Sequence, residues 1–385
     1  MEKRLKAIIK DGIRESIRVK REILENPEDI IKIIVASKSI IESYKKGGQL
    51  ILFGNGGSAA DAQHIEGELV NKLYIPNRPM LNARALTVNT SVLTAIGNDS
   101  SYENIFARQI SSLVKSIDVV MGISTSGNSI NVIKGIEAAK EQKAYTIALT
   151  GKSGGKLSEI SDLLINVPGT DVARIQEAHI LVGHLICESI ERILFQEFKP
   201  AVFLDRDGVI VHDAVGYVNK VEDLKFIEGT IEGMKKLQDK YKLIILTNQA
   251  GIAKAKFKTE DYEKFTANYE RILKEEGVNV GGIYYCPHHP KGTVAEYAKD
   301  CYCRKPSLGM LEKAIREHNI DVDHSYVIGD KNSDLRLTKY YSSLKAIAVL
   351  SGEGTTEEFE RMEPQPYAIC KDLYEASKII LKEHL

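Results

Sequence analysis

Tryptophan is absent from the 385 residues, and no apolar run approaches the ~20 residues of a membrane-spanning helix. Neither sign of charge is in excess: 52 Lys and Arg against 53 Asp and Glu leave a formal net charge of -1. No long-range field therefore favours nucleic acid or an anionic membrane, although a phosphorylated small molecule needs only local positive groups. Cysteine is scarce and odd in number, five in all, which argues against a disulfide scaffold and for a reducing, cytoplasmic setting. Gly/Ser-rich linkers and low-complexity tracts are also missing. The first residues, MEKRLKAIIKDGIRES, read as a charged helix and not as a signal peptide. What remains is 43% hydrophobic and 27% charged, the balance of a globular protein, in a chain longer than one core usually covers. Two domains are expected.

Residues 1–46 carry helical periodicity with many i,i+4 charge pairs. Short apolar strands follow, QLILFGN, ARALTV, SIDVVMGIS, YTIALT and DLLINV, mostly separated by helix-like segments, and a long helix over about 172–197 closes the first half. Pro200 ends it. The same alternation resumes with AVFLDRDG, LIILTNQ, GIYYC, SYVIGDKNSD and AIAVL, with helices near 229–240, 259–276 and 307–318. The pattern predicts α/β architecture: two doubly wound parallel-sheet domains, 1–197 and 200–385.

Residues 54–68, GNGGSAADAQHIEGE, match the loose dinucleotide fingerprint G-x-G-x-x-A. That reading lacks its ribose-binding acid, because the next strand ends in Asn89. GKS at 151–153 is no P-loop either, since Thr146 stands where the first glycine belongs. STSGNS, Ser124 to Ser129, is the better phosphate cradle: four hydroxyls, a glycine and a helix N-terminus converge after an apolar strand. His64 and Glu68 share one helix face at i,i+4. Gln176, His179 and His184 sit among Ile, Leu and Val on the closing helix, where polar groups are costly unless paired or used. Gln176 and His184 are about 12 Å apart along that helix, so one small site must be elongated or shared between subunits to use both.

With GNGGSAADAQHIEGEL, GND, GISTSGNS, TGKSGGK and RIQEAHILVGH, residues 1–197 resemble the phosphoheptose isomerases of the sugar isomerase (SIS) family. The resemblance implies a flavodoxin-like sandwich and a tetramer with sites at subunit interfaces. It implies substrate contacts from Asn55, Gly56, Gly57, Asn98, Asp99, Ser124, Thr125, Ser126, Ser129 and Gln176, and an acid–base pair of Glu68 and His184. Some members hold Zn²⁺, here through His64, Glu68, Gln176 and His184. Such residues suit proton transfer between C1 and C2 of a sugar phosphate. The competing reading is a non-catalytic sugar-phosphate sensor.

In the second half, FLDRDGVI places Asp205 and Asp207 just past a strand, and Thr247, Lys305 and Asp330 follow in order at LIILTN, RKP and YVIGDKNSD. These elements resemble the haloacid dehalogenase (HAD) phosphatases. The resemblance implies a Rossmann-like fold, Asp205 as nucleophile, Asp207 as acid and base, and Mg²⁺ on Asp205, the Asp207 carbonyl and Asp330. CPHHP and CYC add Cys286, His288, Cys301 and Cys303 at spacing suited to a tetrahedral structural Zn²⁺, with His289 as an alternative ligand. DRDGVIV…GYV, TNQAGIA, IYYCPHHP, CRKPSLGM and GDKNSD closely resemble the D-glycero-D-manno-heptose 1,7-bisphosphate 7-phosphatases. That implies a pocket of Asp213, Gly216, Tyr217, Thr247, Asn248, Gln249, Arg304 and Lys305. A histidinol-phosphate phosphatase is the nearest rival. Together the halves imply steps one and three of activated-heptose synthesis, with a heptose 7-phosphate kinase as functional partner.

Overall fold

Alternation along the strands decides which side chain enters which core. In β1 (Leu50–Gly54), Leu50 and Leu52 enter one cluster while Ile51 and Phe53 enter another, the period of two of an extended chain buried on both faces. The computed structural model describes residues 1–212 and 220–383. It separates into two units, Met1–Gln196 and Glu197–Leu385, each with its own sheet.

In the first unit β1 is joined by β2 (Ala83–Ala85), β3 (Val119–Ser124), β4 (Tyr145–Thr150) and β5 (Leu163–Asn166). All pair in parallel, in the order β2-β1-β3-β4-β5. The helices are α1 (Glu2–Glu25), α2 (Pro27–Lys45), α3 (Gly57–Val70), α4 (Thr90–Asp99), α5 (Ala107–Leu113), α6 (Ile130–Glu141), α7 (Leu157–Ile160) and α8 (Val172–Phe195). Helices α1, α2, α3 and α8 bury apolar side chains on one face of the sheet, α5 and α6 on the other. The helical stretch expected over 1–46 is broken at Asn26, whose side chain accepts from the Glu28 N–H (3.1 Å) ahead of Pro27. An Asn N-cap followed by Pro in the first turn starts a new helix.

The second sheet contains β6 (Lys199–Leu204), β7 (Lys242–Asn248), β8 (Val280–Cys286), β9 (Ile320–Gly329), β10 (Lys345–Val349) and β11 (Ala368–Cys370). Its strands are parallel in the order β11-β10-β9-β6-β7-β8. Around it lie α9 (Thr230–Leu237), α10 (Ala250–Ala253), α11 (Thr259–Glu275), α12 (Gly309–His318), α13 (Asn332–Leu335), α14 (Thr356–Glu360) and α15 (Leu373–Lys382). Val202 and Leu204 face one core, Ala201 and Phe203 the other. Both sheets are therefore the doubly wound parallel kind expected. In each, strand order reverses at one point, between β1 and β3 and between β6 and β9, and the crevice outside the carboxyl ends there is where such folds take ligands.

Candidate active sites

In the first unit, α3 starts where β1 ends and packs along α8. The two run side by side in constant register. A Cβ at Gly57 would lie 2.3 Å from Gln176 Nε2, His64 Nε2 lies 2.9 Å from His184 Nε2, and a Cβ at Gly183 would lie 2.7 Å from Ile65 Cδ1. Glycine at 57 and 183 lets the helices approach this closely. His64 Nε2 is also 3.2 Å from Glu68 Oε1, with the His64 side chain 49% exposed and that of Glu68 22%. The structure thus brings His64, Glu68 and His184 together, their ligand atoms all within 4.8 Å, while the Gln176 amide lies farther back against Gly57. Glu68 is held from behind. Its carbonyl accepts from Arg78 Nη2 (2.8 Å), and Arg78 is paired with buried Glu191 (2.7 Å), which also caps the Leu73 and Tyr74 amides. One turn before His64, half-buried Asp61 is pushed up to about 6 by burial, and its Oδ2 has no partner among the described residues.

The Ser124–Ser129 segment leaves β3 beside Asn55. Asn55 and Asn131 exchange hydrogen bonds (2.8 Å each), and Tyr102 Oη donates to Asn55 Oδ1 (3.1 Å). Ser124 and Ser129 hydroxyls lie 3.0 Å apart, and Ser126 Oγ accepts from the Asn128 N–H (3.1 Å). Gly127 has φ +68, and a Cβ there would lie 2.0 Å from the Gly154 carbonyl, so the loop interlocks with residues 151–156. A cavity of about 470 Å³ opens here, lined by Thr125, Ser126, Asn128, Lys152, Ser153 and Thr170. Lys152 belongs to the GKS that failed as a P-loop, and its place in this lining was not read from the sequence. Asn98 donates to Asp99 (2.8 Å), and both are exposed at the end of α4, a helix with no buried residue. Gly56 (φ +55) makes the turn into α3.

At the second switch point Asp205, Lys305 and Asp334 form a buried ionic group. Lys305 Nζ is 3.0 Å from Asp205 Oδ1 and 2.7 Å from Asp334 Oδ1, and it donates to the Leu246 carbonyl at the end of β7. Burial works against the Lys305 cation, but the two carboxylates outweigh it and its pKa is raised. Asp205 is pushed up to about 8, by burial first and by neighbouring Asp334, Asp330 and Asp207, with Lys305 pulling back. Removing Lys305 would strand buried carboxylates without a counter-charge, a loss of about 3–5 kcal/mol. Asp330 is pushed up to about 6 by burial. Gly208 and Gly352 cradle it, since a Cβ at either would lie within 2.3 Å of Asp330 Oδ2. Asp330 Oδ1 is buried with no partner among the described residues, whereas Asp334 is already spent on Lys305 and the Lys331 N–H (3.1 Å). An oxygen left bare in a crowd of carboxylates suits a hard divalent cation, with Asp205 and Asp330 as the available acids. Asp334 was not singled out in the sequence. It is the last residue of GDKNSD and has no signal beyond its four-residue spacing from Asp330.

Thr247 is buried and accepts from Gln249 Nε2 (2.8 Å), which also donates to Asp207 Oδ2 (2.9 Å). Asn248 exchanges hydrogen bonds with the Lys305 backbone (3.1 Å each way). The Asn248 amide is therefore spent on positioning the strand end, and the Gln249 Nε2 on Thr247 and Asp207. Arg304 Nη1 reaches the His288 carbonyl (3.2 Å). Asp213, Gly216 and Tyr217 lie outside the described residues.

Cys286, at the end of β8, meets His288, Cys301 and Cys303 in a cluster fit for a metal ion. The sulfur atoms are 3.3–3.5 Å apart, and His288 Nδ1 is 3.3 Å from Cys303 Sγ. His289 turns its Nδ1 to the Lys291 N–H instead (3.0 Å), so His288 is the histidine of the group.

Known proteins match both halves. An SIS domain model matches residues 13–151, and a HAD-hydrolase-like model matches residues 302–376. Phosphoheptose isomerase 2 of Campylobacter jejuni is 50% identical over 191 residues, half of this chain and 94% of its own length. The solved phosphoheptose isomerase of Neisseria gonorrhoeae has 41% identity and a TM-score of 0.45, over 49% of this chain and 98% of its own. The D,D-heptose 1,7-bisphosphate phosphatase of B. bronchiseptica has 26% identity and a TM-score of 0.43, over 48% and 99%. The isomerase relative is matched almost end to end, and on that ground the chain belongs to the phosphoheptose isomerases of the SIS-domain family, joined in one polypeptide to a HAD-hydrolase-like second half.

Proposed function

We propose that the chain is a bifunctional enzyme of activated-heptose synthesis. Its first unit interconverts sedoheptulose 7-phosphate and D-glycero-D-manno-heptose 7-phosphate. Its second hydrolyses the 7-phosphate of D-glycero-D-manno-heptose 1,7-bisphosphate. The observation that carries this is the pair of separate sites: the His64–Glu68–His184 cluster between α3 and α8 in the first unit, and Asp205–Lys305–Asp330 at the switch point of the second sheet.

In the first site Glu68 removes the C1 proton of the ketose and returns it to C2, while His184 moves the protons of O1 and O2 through the enediol. The Ser124–Ser129 loop holds the phosphate through hydroxyls and backbone N–H groups. His64, Glu68 and His184 are donors that suit Zn²⁺, which when bound would polarise the substrate carbonyl, whereas Gln176, held against Gly57, is not placed to join them within one protomer. A metal-bound Glu68 is a weaker base, so its two roles compete.

In the second site an Asp205 oxygen attacks phosphorus, the P–O7 bond breaks, and Asp207 gives its proton to the departing alkoxide. Asp207 then takes a proton from water, which attacks the aspartyl phosphate and frees inorganic phosphate and Asp205. Thr247 and Lys305 hold the phosphoryl oxygens. Asp205, the Asp207 carbonyl and Asp330 are the proposed Mg²⁺ ligands, and the cation offsets repulsion between carboxylates and phosphate. Cys286, His288, Cys301 and Cys303 would hold Zn²⁺ as a structural ion, and their cross-linking through it would pin the segment leading into Arg304 and Lys305. The wider reading is a cytoplasmic homotetramer built through the isomerase unit, served by a kinase that phosphorylates C1 between the two steps.

Two substitutions test it. Glu68→Gln should lower isomerisation by about 10²–10⁴-fold and spare the phosphatase, and Asp205→Asn should do the reverse. Either variant keeping its own activity refutes that assignment. A wild-type chain with phosphatase but no isomerase activity supports the sensor reading instead.

A further inference from the structure

Arg206, between the two aspartates, has no part in the chemistry above. Arg206 lies at the bend that follows β6, where the chain turns back through residues 208–211. Its side chain is 1% exposed, a costly place for a cation unless its charge is matched. Asp207 supplies one such match. Arg206 Nε donates to Asp207 Oδ1 (3.0 Å) and Nη2 to Oδ2 (3.0 Å), the two-pronged geometry that fixes a carboxylate's plane.

The guanidinium is itself held. It lies over the rings of Phe265 (5.1 Å) and Tyr262 (5.7 Å), both on α11. Phe265 stacks on Tyr269 at 6.0 Å, and Tyr262 packs on Tyr285 at 4.5 Å. Gln249 supplies the third hydrogen bond to the Asp207 carboxylate. Asp207 stands at the rim, its side chain 19% exposed, where an unrestrained carboxylate would sample several rotamers.

We propose that Arg206 is a positioning residue: the aromatic platform of Tyr262 and Phe265 orients Arg206, and Arg206 fixes the direction in which Asp207 delivers its proton. This rests on the phosphatase reading of the site. It makes α11, which carries no catalytic motif, a working part of the active site.

The leaving group provides the test. kcat/KM covers the steps up to the aspartyl phosphate. A sugar alkoxide needs its proton there, and p-nitrophenolate does not. Arg206→Met should lower kcat/KM for heptose 1,7-bisphosphate about 10²-fold yet change that for p-nitrophenyl phosphate by less than about 3-fold. Arg206→Lys should restore part of the loss, and Phe265→Leu should give a smaller loss with the same selectivity. Equal losses on both substrates, or none on either, overturn the proposal. If Arg206→Met does not fold, as judged by its melting curve, the Lys and Leu variants decide by the same comparison. A wild-type enzyme that hydrolyses neither ester sinks the phosphatase reading and not the positioning argument.

Discussion

His179 makes the first unit acid-sensitive in a calculable way. Its side chain is fully buried on α8, and neither ring nitrogen makes a well-formed hydrogen bond among the described residues, with only the Thr150 backbone close enough to favour the charged form. Burial pushes it down to about 4 from an ordinary 6.5, opposed only in part by the Thr150 backbone. The folded state therefore binds fewer protons than the unfolded state between pH 6.5 and 4, and stability falls as pH falls through that window. Between pH 7.5 and 4.5 the loss from this one group is about 2.5 kcal/mol. His179→Leu removes the titration and fills the same apolar space. Calorimetric melting of both proteins across this range isolates the effect from other titrating groups. Relative to wild type, the variant's first unit should gain about 5–10 °C in Tm as pH drops to 4.5. Curves that stay parallel would mean that His179 is hydrated or hydrogen-bonded, and the burial argument would fail.

Two further outcomes are expected. Gly127→Ala places an alanine at φ +68 against the Gly154 carbonyl, a strain of about 1–2 kcal/mol before the clash. KM for sedoheptulose 7-phosphate should rise about tenfold or more with phosphatase kinetics intact, and an unchanged KM would remove the loop from the phosphate site. On the reading of the Cys286–His288–Cys301–Cys303 group as a zinc site, Cys303→Ser should lower the zinc found by metal analysis and destabilise the second unit by several kcal/mol. A zinc-free chain that keeps full phosphatase activity and stability in the presence of Mg²⁺ would refute a role for that ion.

The fold was legible because both sheets are buried on two faces, which makes each strand a short apolar run such as LILFG or KLIILTN bounded by Gly, Asn or Gln. β11 was missed. Its three residues in YAICKD give no periodicity, and it exists only by pairing with β10. Asn26–Pro27 was overlooked as a break because the charge pattern runs through it. Site residues on strand ends were easy to gather, since topology alone collects them. Asp334, Arg206, Asp61 and Lys152 were not, because their significance lies in whom they touch: Lys305, Asp207, the approach to His64, and the Ser124–Ser129 cavity. Asn248 shows the converse, a polar residue at a strand end whose amide is used on the neighbouring backbone.

The constant register of α3 and α8 makes the first unit a gauge. Gly57 meets Gln176 and His64 meets His184, so seven residues on one helix answer eight on the other, each stretch rising about 10–12 Å. Asn55, at one end of that span, is tied to Asn131 beside the Ser124–Ser129 loop. A sugar anchored there by its phosphate, as proposed, brings its carbonyl to Glu68 and His184 only if the carbon chain spans the interval. Chain length is then read as a distance, and a shorter sugar phosphate would be captured by the same loop with its reacting carbons out of reach, bound but idle.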